Sequence, residues 1–101
     1  MKKRLTDRYL ATVKPPATGR LQITDTEAPG LMFRLTGKGI ASWSIRYRPK
    51  GAMRRRATYG TYPSIKLADA RQRAKDIDAA AGKGIDLVEL EERQRLLAGN
   101  G

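Results

Sequence analysis

Arginines recur at alternate positions in the middle of the chain, at Arg34, at Arg46 and Arg48, and at Arg54 and Arg56. In a β-strand, side chains two residues apart point to the same face of the sheet. A guanidinium is a planar fork of donors that binds a phosphate, or the O6 and N7 edge of guanine, through two parallel hydrogen bonds. The spacing therefore predicts a basic sheet face whose chemistry suits a polyanion.

The distribution of charge favours the same interpretation. The 101 residues include 21 Lys and Arg against 10 Asp and Glu, which gives a net charge of +11. Residues 1–63 carry 14 basic and 3 acidic side chains, whereas residues 64–101 carry 7 of each. All the excess positive charge thus falls in the first part of the chain, a segregation that solubility alone does not require.

Several classes of function lack the residues that they need. The chain has no cysteine and no histidine, which removes disulfides, thiolate metal sites, and the commonest general base and metal ligand. No catalytic residue, metal site or cofactor is predicted, and a hydrolase or transferase is the weakest alternative. No apolar run reaches the ~20 residues that cross a bilayer, and the basic Met1-Lys2-Lys3-Arg4 lacks the apolar stretch of a signal peptide. We therefore expect a soluble, cytoplasmic protein without a membrane partner.

Alternation of apolar and polar residues predicts an antiparallel β-meander. Three strong strands are expected at residues 31–36, 40–48 and 53–59, after a weaker first strand at 20–24. The Gly37-Lys38-Gly39 and Pro49-Lys50-Gly51 sequences supply tight turns, and the Gly60-Thr61-Tyr62-Pro63 sequence is expected to end the sheet.

Helical patterns flank the meander. A short N-terminal helix is predicted at residues 5–14, capped by Thr6 or Asp7 and stopped by Pro15-Pro16. The main helix, at 67–81, carries one continuous apolar stripe for packing against the sheet. A charged helix at 87–97 is interpreted as a linker.

These elements predict an α+β fold: a three- to four-stranded antiparallel meander, one main helix packed on one face, and short N-terminal and C-terminal helices. The expected domain covers residues 1–84. Residues 85–101 are expected to lead towards a core-binding domain, and Gly99-Asn100-Gly101 indicates an artificial boundary rather than a natural end.

The alternation also sorts the meander into two faces. Neighbouring strands lie about 4.8 Å apart, so cations that share one face repel one another until a partner offsets them. The apolar face, which the main helix should cover, is predicted to comprise Leu31, Phe33, Leu35, Trp43, Ile45, Tyr47, Met53, Ala57 and Tyr59. The binding face is predicted to comprise Arg34, Ser44, Arg46, Arg48, Arg54, Arg56 and Thr58, with Lys38 and Lys50 of the turns on flanking phosphates.

Double-stranded DNA is the favoured partner, because a narrow β-sheet can enter the major groove. If about five to seven phosphates are neutralised, log K falls with log salt at a slope of roughly −4.5 to −6. Three alternatives stay open: a merely solvated face, an RNA-binding domain, and a module that docks an acidic protein. Trp43 and Tyr47 fall on the apolar face, which disfavours an RNA-recognition sheet. Lys2-Lys3-Arg4 is either a loose end or an arm for the minor groove.

An ordered set of short motifs resembles the N-terminal arm-type DNA-binding domain of phage and prophage integrases, which are tyrosine recombinases. The similarity extends over about residues 4–90, and Lys66 departs from the Ser or Thr that often caps the main helix in the family, so that Ser64 is the alternative cap. The motifs are Leu5-Thr6-Asp7, Lys14-Pro15-Pro16, Asp25-Thr26-Glu27-Ala28-Pro29-Gly30-Leu31, Trp43-Ser44-Ile45-Arg46-Tyr47-Arg48, Gly60-Thr61-Tyr62-Pro63, Leu67-Ala68-Asp69-Ala70-Arg71 and Gly82-Lys83-Gly84-Ile85-Asp86.

The resemblance implies a domain that binds arm sites through a three-stranded sheet in the major groove and so supports site-specific recombination. It also implies that strand cleavage belongs to a separate C-terminal domain, so this chain would not be an enzyme by itself. The expected partners are double-stranded DNA and, in a full-length protein, other integrase protomers, whereas the isolated domain is expected to be monomeric.

Overall fold

A computed structural model describes residues 1–99, and Asn100 and Gly101, in the predicted artificial boundary, lie outside the described residues. Eight elements follow one another along the chain. They are β1 (Lys2–Lys3), α1 (Asp7–Thr12), β2 (Arg20–Asp25), β3 (Leu31–Thr36), β4 (Ala41–Tyr47), β5 (Arg55–Tyr62), α2 (Leu67–Gly82) and α3 (Leu87–Gly99). No helix among the described residues is long and apolar enough to cross a membrane.

The strands form one sheet in the order β1-β2-β3-β4-β5. Strands β2 to β5 are an antiparallel meander, whereas β1 pairs with β2 in parallel. The predicted α+β class is confirmed, but the sheet has five strands rather than three or four. Each connection within the meander is short, so the order along the chain is also the order in space.

The N-terminal basic residues provide the fifth strand. The Thr24 amide donates to the Met1 carbonyl at 2.8 Å, and the Thr26 amide donates to the Lys3 carbonyl at 3.1 Å. Arg4 then forms an ion pair with Glu27, with 3.0 Å between Nε and Oε1. The expectation of a loose end is therefore wrong for these residues, whereas an arm for the minor groove stays a hypothesis.

Helix α2 packs on the sheet through the predicted stripe. Its buried residues are Leu67, Ala70, Ala74, Ile77 and Ala81, and the small alanines let the helix approach the strands closely. The helix starts after Lys66, which makes no side-chain cap, so the alternative cap at Ser64 is wrong.

An aromatic cluster fills the centre of the core. The Phe33 and Trp43 rings meet edge to face with centroids 5.3 Å apart, and Tyr62 contacts them at 6.0 and 6.1 Å. The Trp43 indole N–H donates to the Ile65 carbonyl at 2.9 Å, so this buried polar group has a partner.

Strand β5 departs most from the sequence expectation. It begins two residues later than predicted and continues through Tyr62. A register shift beside Trp43 places Ser44 opposite Thr58 and Trp43 opposite Gly60, so pairing with β4 continues past Gly60. Tyr59 is the extra residue of this irregularity and is 37% exposed, while Met53 precedes the strand and is 84% exposed. Placing Met53 and Tyr59 in the core was therefore wrong. The other seven predicted apolar-face residues are buried or half-buried.

Helix α1 is shorter than the predicted 5–14 segment. The predicted cap is confirmed at Thr6, whose hydroxyl accepts from the Tyr9 amide at 3.1 Å. Val13 already has an extended conformation, as expected for chain leading into two prolines. Leu5 and Leu10 are buried and hold this segment on the core.

A buried ion pair joins the N-terminal segment, β2 and α2. The Asp25 carboxylate accepts from Arg71 Nε at 2.9 Å and from Arg71 Nη2 at 3.1 Å, and it also accepts from the Leu5 amide at 3.0 Å. Arg71 Nη2 donates to the Leu5 carbonyl at 2.6 Å as well. Three parts of the chain thus meet at one carboxylate, which is only 2% exposed.

A second carboxylate, Asp86, fastens helix α3 to the sheet. Its Oδ1 accepts from the Tyr47 hydroxyl at 2.9 Å and from the Glu89 amide at 3.0 Å, so Asp86 also caps the helix. Its Oδ2 forms an ion pair with Arg55 of β5. The first turn of the predicted linker helix therefore contacts the domain, while the placement of a domain boundary at residue 84 stays a prediction.

The Asp86 cluster predicts an unusual tyrosine titration. Burial and then the hydrogen bond to Asp86 raise the pKa of Tyr47 to about 12 from its ordinary value of 10.0. Because the pKa is raised in the folded state, the stability linked to neutral Tyr47 is complete below pH 10.0 and is lost as the pH rises towards about 12. In an ultraviolet absorbance titration, we expect one late tyrosine ionisation that disappears in Tyr47→Phe and persists in Tyr59→Phe. A late ionisation retained in Tyr47→Phe would assign it elsewhere.

Candidate nucleic-acid interface

Four arginines, one from each of four consecutive strands, share the sheet face opposite α2. The register places Arg34 of β3 opposite Gln22 and Ser42, and Met32, two residues away, opposite Ser44. Opposed residues point to the same side of an antiparallel sheet. Arg20 opposes Thr36, which lies two residues from Arg34, so it is on the same side. Arg46 lies two residues from Ser44 and opposes Arg56, so both of these arginines are on this side as well. We call Arg20, Arg34, Arg46 and Arg56 the arginine face.

This face has no acidic counterpart. Strands β2 to β5 contain a single acidic residue, Asp25, which lies on the core side and is bound to Arg71. None of the four arginines forms an ion pair with any described residue. By contrast, five arginines elsewhere in the domain form ion pairs: Arg4, Arg55, Arg71, Arg73 and Arg93.

Mutual repulsion within the face is evident at Arg34. Partial burial, followed by the positive charges of Arg56, Arg20 and Arg46, lowers the pKa of Arg34 below its ordinary value. An arginine nevertheless stays protonated at neutral pH. The cluster therefore holds positive charge that an external anion would stabilise.

Arg46 and Arg56 are the closest pair in the register. They oppose each other directly across β4 and β5, and both are exposed. Like charges in opposed positions destabilise a sheet, so the pair favours an anion that contacts both guanidiniums.

The middle of the face is more buried than alternation alone predicts. Met32 is 4% exposed and Ser44 is 1% exposed, although both lie on the side opposite α2. Ser44 Oγ and Arg34 Nε are buried and make no hydrogen bond within the described part of the chain. Arginine stems cover apolar surface well, which accounts for a buried floor on a charged face. Contact between Ser44 and a ligand would require neighbouring side chains to move.

Three of the predicted contacts lie between the end of β4 and the start of β5. Arg48 follows β4, and its Nε donates to the Ala52 carbonyl at 3.0 Å, within the β4–β5 turn. Arg54 precedes β5, and Arg48 and Arg54 line a groove of about 260 Å³ with Gly30 and Asp78. Lys50 is exposed in the same turn. The Lys50 amide donates to the Ala81 carbonyl at 2.8 Å and so holds the backbone of the turn on α2.

Thr58 is the remaining predicted contact. It is exposed and opposes Ser44, as a residue of the arginine face should. Lys38 is exposed in the β3–β4 turn.

Sequence reasoning missed several polar residues of this face. Arg20 could have been found from the sequence, because it alternates with Leu21 in the predicted first strand. That strand needed only to be paired with β3 for Arg20 to fall on the same face as Arg34. Lys2 could not be found, because β1 has only two residues and no period. The polar residues that the register adds are Lys2, Arg20, Gln22, Thr24, Thr36, Ser42 and Thr61.

The described residues offer no metal site or activated nucleophile that competes with this face. Groups of three or more Asp and Glu that could hold a metal ion are absent from residues 1–99. Tyr9 lies under the Lys3 ammonium, with Nζ 3.7 Å from the ring centroid, and Tyr62 packs in the core. These tyrosines have structural contacts, and no described neighbour is placed to activate them as nucleophiles.

Comparison with known proteins decides the family. The model of the arm DNA-binding domain matches residues 5–95. The chain belongs to the arm DNA-binding domain family. Prophage integrase IntA of Escherichia coli (strain K12) is 31% identical over 93 residues, which is 91% of this chain and 22% of that protein. This arm DNA-binding domain thus spans about a fifth of the length of its relative, and the predicted family is confirmed.

Proposed function

We propose that this arm DNA-binding domain lays the arginine face into the major groove of duplex DNA. The observation that carries the proposal is the set of four guanidiniums on four consecutive strands, without an acidic residue on the same face. Phosphate contacts would position the domain, and base-edge contacts would give it sequence preference.

The dimensions of the sheet suit this placement. Strands β2 to β5 span roughly 14 Å between their outer axes at about 4.8 Å per spacing, which is slightly more than the major-groove width of about 12 Å. The two outer strands would then lie near the phosphate backbones, and β3 and β4 would lie over the base edges. Thr58 would contact DNA beside Arg56, and Lys38, Arg48, Lys50 and Arg54 would bind phosphates beyond the strand ends.

Absence of aromatic side chains from the arginine face favours duplex DNA over single-stranded RNA. Among the described residues, Phe33, Trp43 and Tyr62 pack on the core side, and Tyr47 bonds to Asp86. Single-stranded RNA is bound largely by stacking its bases on exposed aromatic rings. No comparable observation favours an acidic protein as the partner, and the test below includes binding to such a protein as one possible result.

We further propose that the domain serves a longer recombinase. Similarity to prophage integrase IntA supports this role. The domain would hold the recombinase at arm sites beside the crossover site, other protomers would bind neighbouring sites, and another domain would cleave DNA. The isolated domain would act as a monomer.

The test is the salt dependence of duplex binding, which fluorescence anisotropy measures from about 50 to about 200 mM salt. Each phosphate contact contributes roughly −0.9 to the slope of log K against log salt. We expect Arg46→Ala/Arg56→Ala to flatten the slope by about 1.8 if each arginine holds one phosphate. The matched control is Arg8→Ala/Arg95→Ala, which removes two exposed arginines of helices α1 and α3.

Equal losses in the two double variants would show that net charge, rather than this face, governs binding. Amide titration by NMR gives an independent test, since shifts confined to α2 would place DNA on the wrong side of the sheet. Tighter binding to an acidic protein or to single-stranded RNA than to duplex DNA would overturn the proposal.

A further inference from the structure

Arg34 occupies the centre of the arginine face in both directions. Its strand, β3, is the third of five, and Arg34 is the fourth of that strand's six residues. The other three arginines lie near strand ends. Arg20 is the first residue of β2, Arg46 is the last but one of β4, and Arg56 is the second of β5. The face therefore has one central guanidinium and a peripheral set.

The surroundings of Arg34 also differ from those of the peripheral arginines. Arg34 is half-buried, whereas Arg20, Arg46 and Arg56 are exposed. Its Nε is buried without a hydrogen-bond partner in the described residues, so only the terminal nitrogens can reach a ligand. A side chain held by its surroundings loses less conformational entropy on binding than a free one.

Base edges and phosphates make different demands on an arginine. A base edge lies at the bottom of the groove and presents two acceptors, guanine O6 and N7, to one rigid fork. A phosphate lies at the rim and can be held by any mobile cation. Fully desolvated contacts near the centre of an interface also tend to carry most of its binding energy, while the rim excludes water.

We propose that Arg34 is the specificity-determining residue of the face and reads a guanine through its two terminal nitrogens, whereas Arg20, Arg46 and Arg56 hold phosphates. This inference rests on the proposed DNA-binding function. Gln22 and Ser42, which oppose Arg34 on the neighbouring strands, flank the same contact. Met32 and Ser44, which are buried next to Arg34 on this face, form the floor beneath the contact.

Lysine substitutions separate the two roles because they preserve charge and remove the fork. The preferred duplex is first selected from a random-sequence pool with the wild-type domain. The dissociation constants for this duplex and for a scrambled duplex then give a specificity ratio for the wild type, Arg34→Lys, Arg46→Lys and Arg56→Lys. We expect Arg34→Lys to lower the ratio by about tenfold to a hundredfold with an unchanged salt slope. Arg46→Lys and Arg56→Lys should keep it within about threefold, since a phosphate accepts either cation.

A second measurement changes the DNA and tests the contact first on the wild-type domain. Each guanine of the selected duplex is replaced in turn by 7-deazaguanine, which lacks the N7 acceptor, and binding to the wild-type domain is measured. One position should weaken wild-type binding by about tenfold and leave Arg34→Lys unaffected.

The inference is overturned if the wild type selects no preferred sequence, if Arg34→Lys keeps the specificity ratio, or if no single 7-deazaguanine matters. Failure of the wild type to bind any duplex would instead refute the proposed function itself. Sequence-independent binding with a steep salt slope would leave the proposed function standing and remove the role of Arg34.

Discussion

Replacing Asp25 with asparagine should lower the free energy of unfolding by about 3–5 kcal/mol. The carboxylate is buried, and it accepts from both the Arg71 guanidinium and the Leu5 amide. An amide at this position would leave Arg71 without its counter-charge and would turn a donor towards other donors. Breaking a buried pair from one side is costly for that reason, and a domain of this size has only about 5–15 kcal/mol in total.

Urea denaturation followed by tryptophan fluorescence measures this loss, because Trp43 is the only tryptophan and is fully buried. The matched control is Asp78→Asn, which removes an exposed carboxylate of α2 that forms no ion pair with a described residue. The control should change stability by less than about 0.5 kcal/mol. Similar losses in both variants would mean that the Asp25–Arg71 pair contributes no special stability.

The same pair predicts a direction for acid unfolding. Although burial raises it, hydrogen bonds from Arg71 and Leu5 hold the pKa of Asp25 below its ordinary value of 3.8. A lowered pKa in the folded state contributes stability that is present above pH 3.8 and is lost as the pH falls through the folded value. The stability of wild type and Asp25→Asn should therefore converge in acid, whereas a constant difference down to pH 2 would contradict this linkage.

Replacing Gly30 with alanine should cost about 2–5 kcal/mol of stability. Gly30 ends the turn before β3 with φ of +73°, and a Cβ at this position would lie 2.0 Å from the Arg46 carbonyl oxygen. The two residues already touch through the Arg46 amide, which donates to the Gly30 carbonyl at 2.9 Å. An added methyl group would therefore push β4 away from β3 at the end of the sheet where Arg46 lies.

Gly51→Ala provides the matched control for Gly30→Ala. Gly51 has a similar φ of +82°, but no heavy atom lies within 4 Å of the Cβ position. Only the conformational cost of about 1–2 kcal/mol should appear there. The excess loss in Gly30→Ala measures the collision with the backbone of Arg46, and equal losses would show that the strands separate without cost.

Local periodicity explains which parts of the fold the sequence predicts. Helix α2 was placed to within a residue, because its five core residues repeat at 3 and 4 positions. Strand β4 was equally clear, since Trp43, Ile45 and Tyr47 alternate with polar neighbours. Both elements have a long, strongly periodic stripe, which is the signal that sequence alone carries best.

Features that depend on contacts between distant residues were not predictable in this way. The two residues of β1 have no period, and they become a strand only because β2 offers a free edge. The irregularity at Tyr59 is invisible in β5 itself, because Gly60 has the character of a turn residue until it is placed opposite Trp43. The Asp25–Arg71 pair joins residues 46 positions apart, and no sequence motif predicts the pairing.

The candidate site was predictable in chemistry but not in shape. Alternation placed Arg34, Arg46 and Arg56 on one face, and the register agrees. It could not show that Arg48 and Arg54 lie beyond the strand ends, because strand limits follow from pairing. Nor could it separate the half-buried Arg34 from its exposed neighbours, since burial on the outer face depends on the long side chains around it.

The unpaired arginines lie on one side of the sheet, whereas residues 64–99, which include the two helices of the other side, carry 7 basic and 7 acidic side chains. The domain therefore has an electric dipole roughly along the sheet normal. The field of a duplex would exert a torque on this dipole as well as a pull on the net charge. The domain would begin to turn within about 10 Å of the phosphates at 0.1 M salt. Its sheet would then arrive facing the groove, so fewer encounters would end with the helices against the DNA.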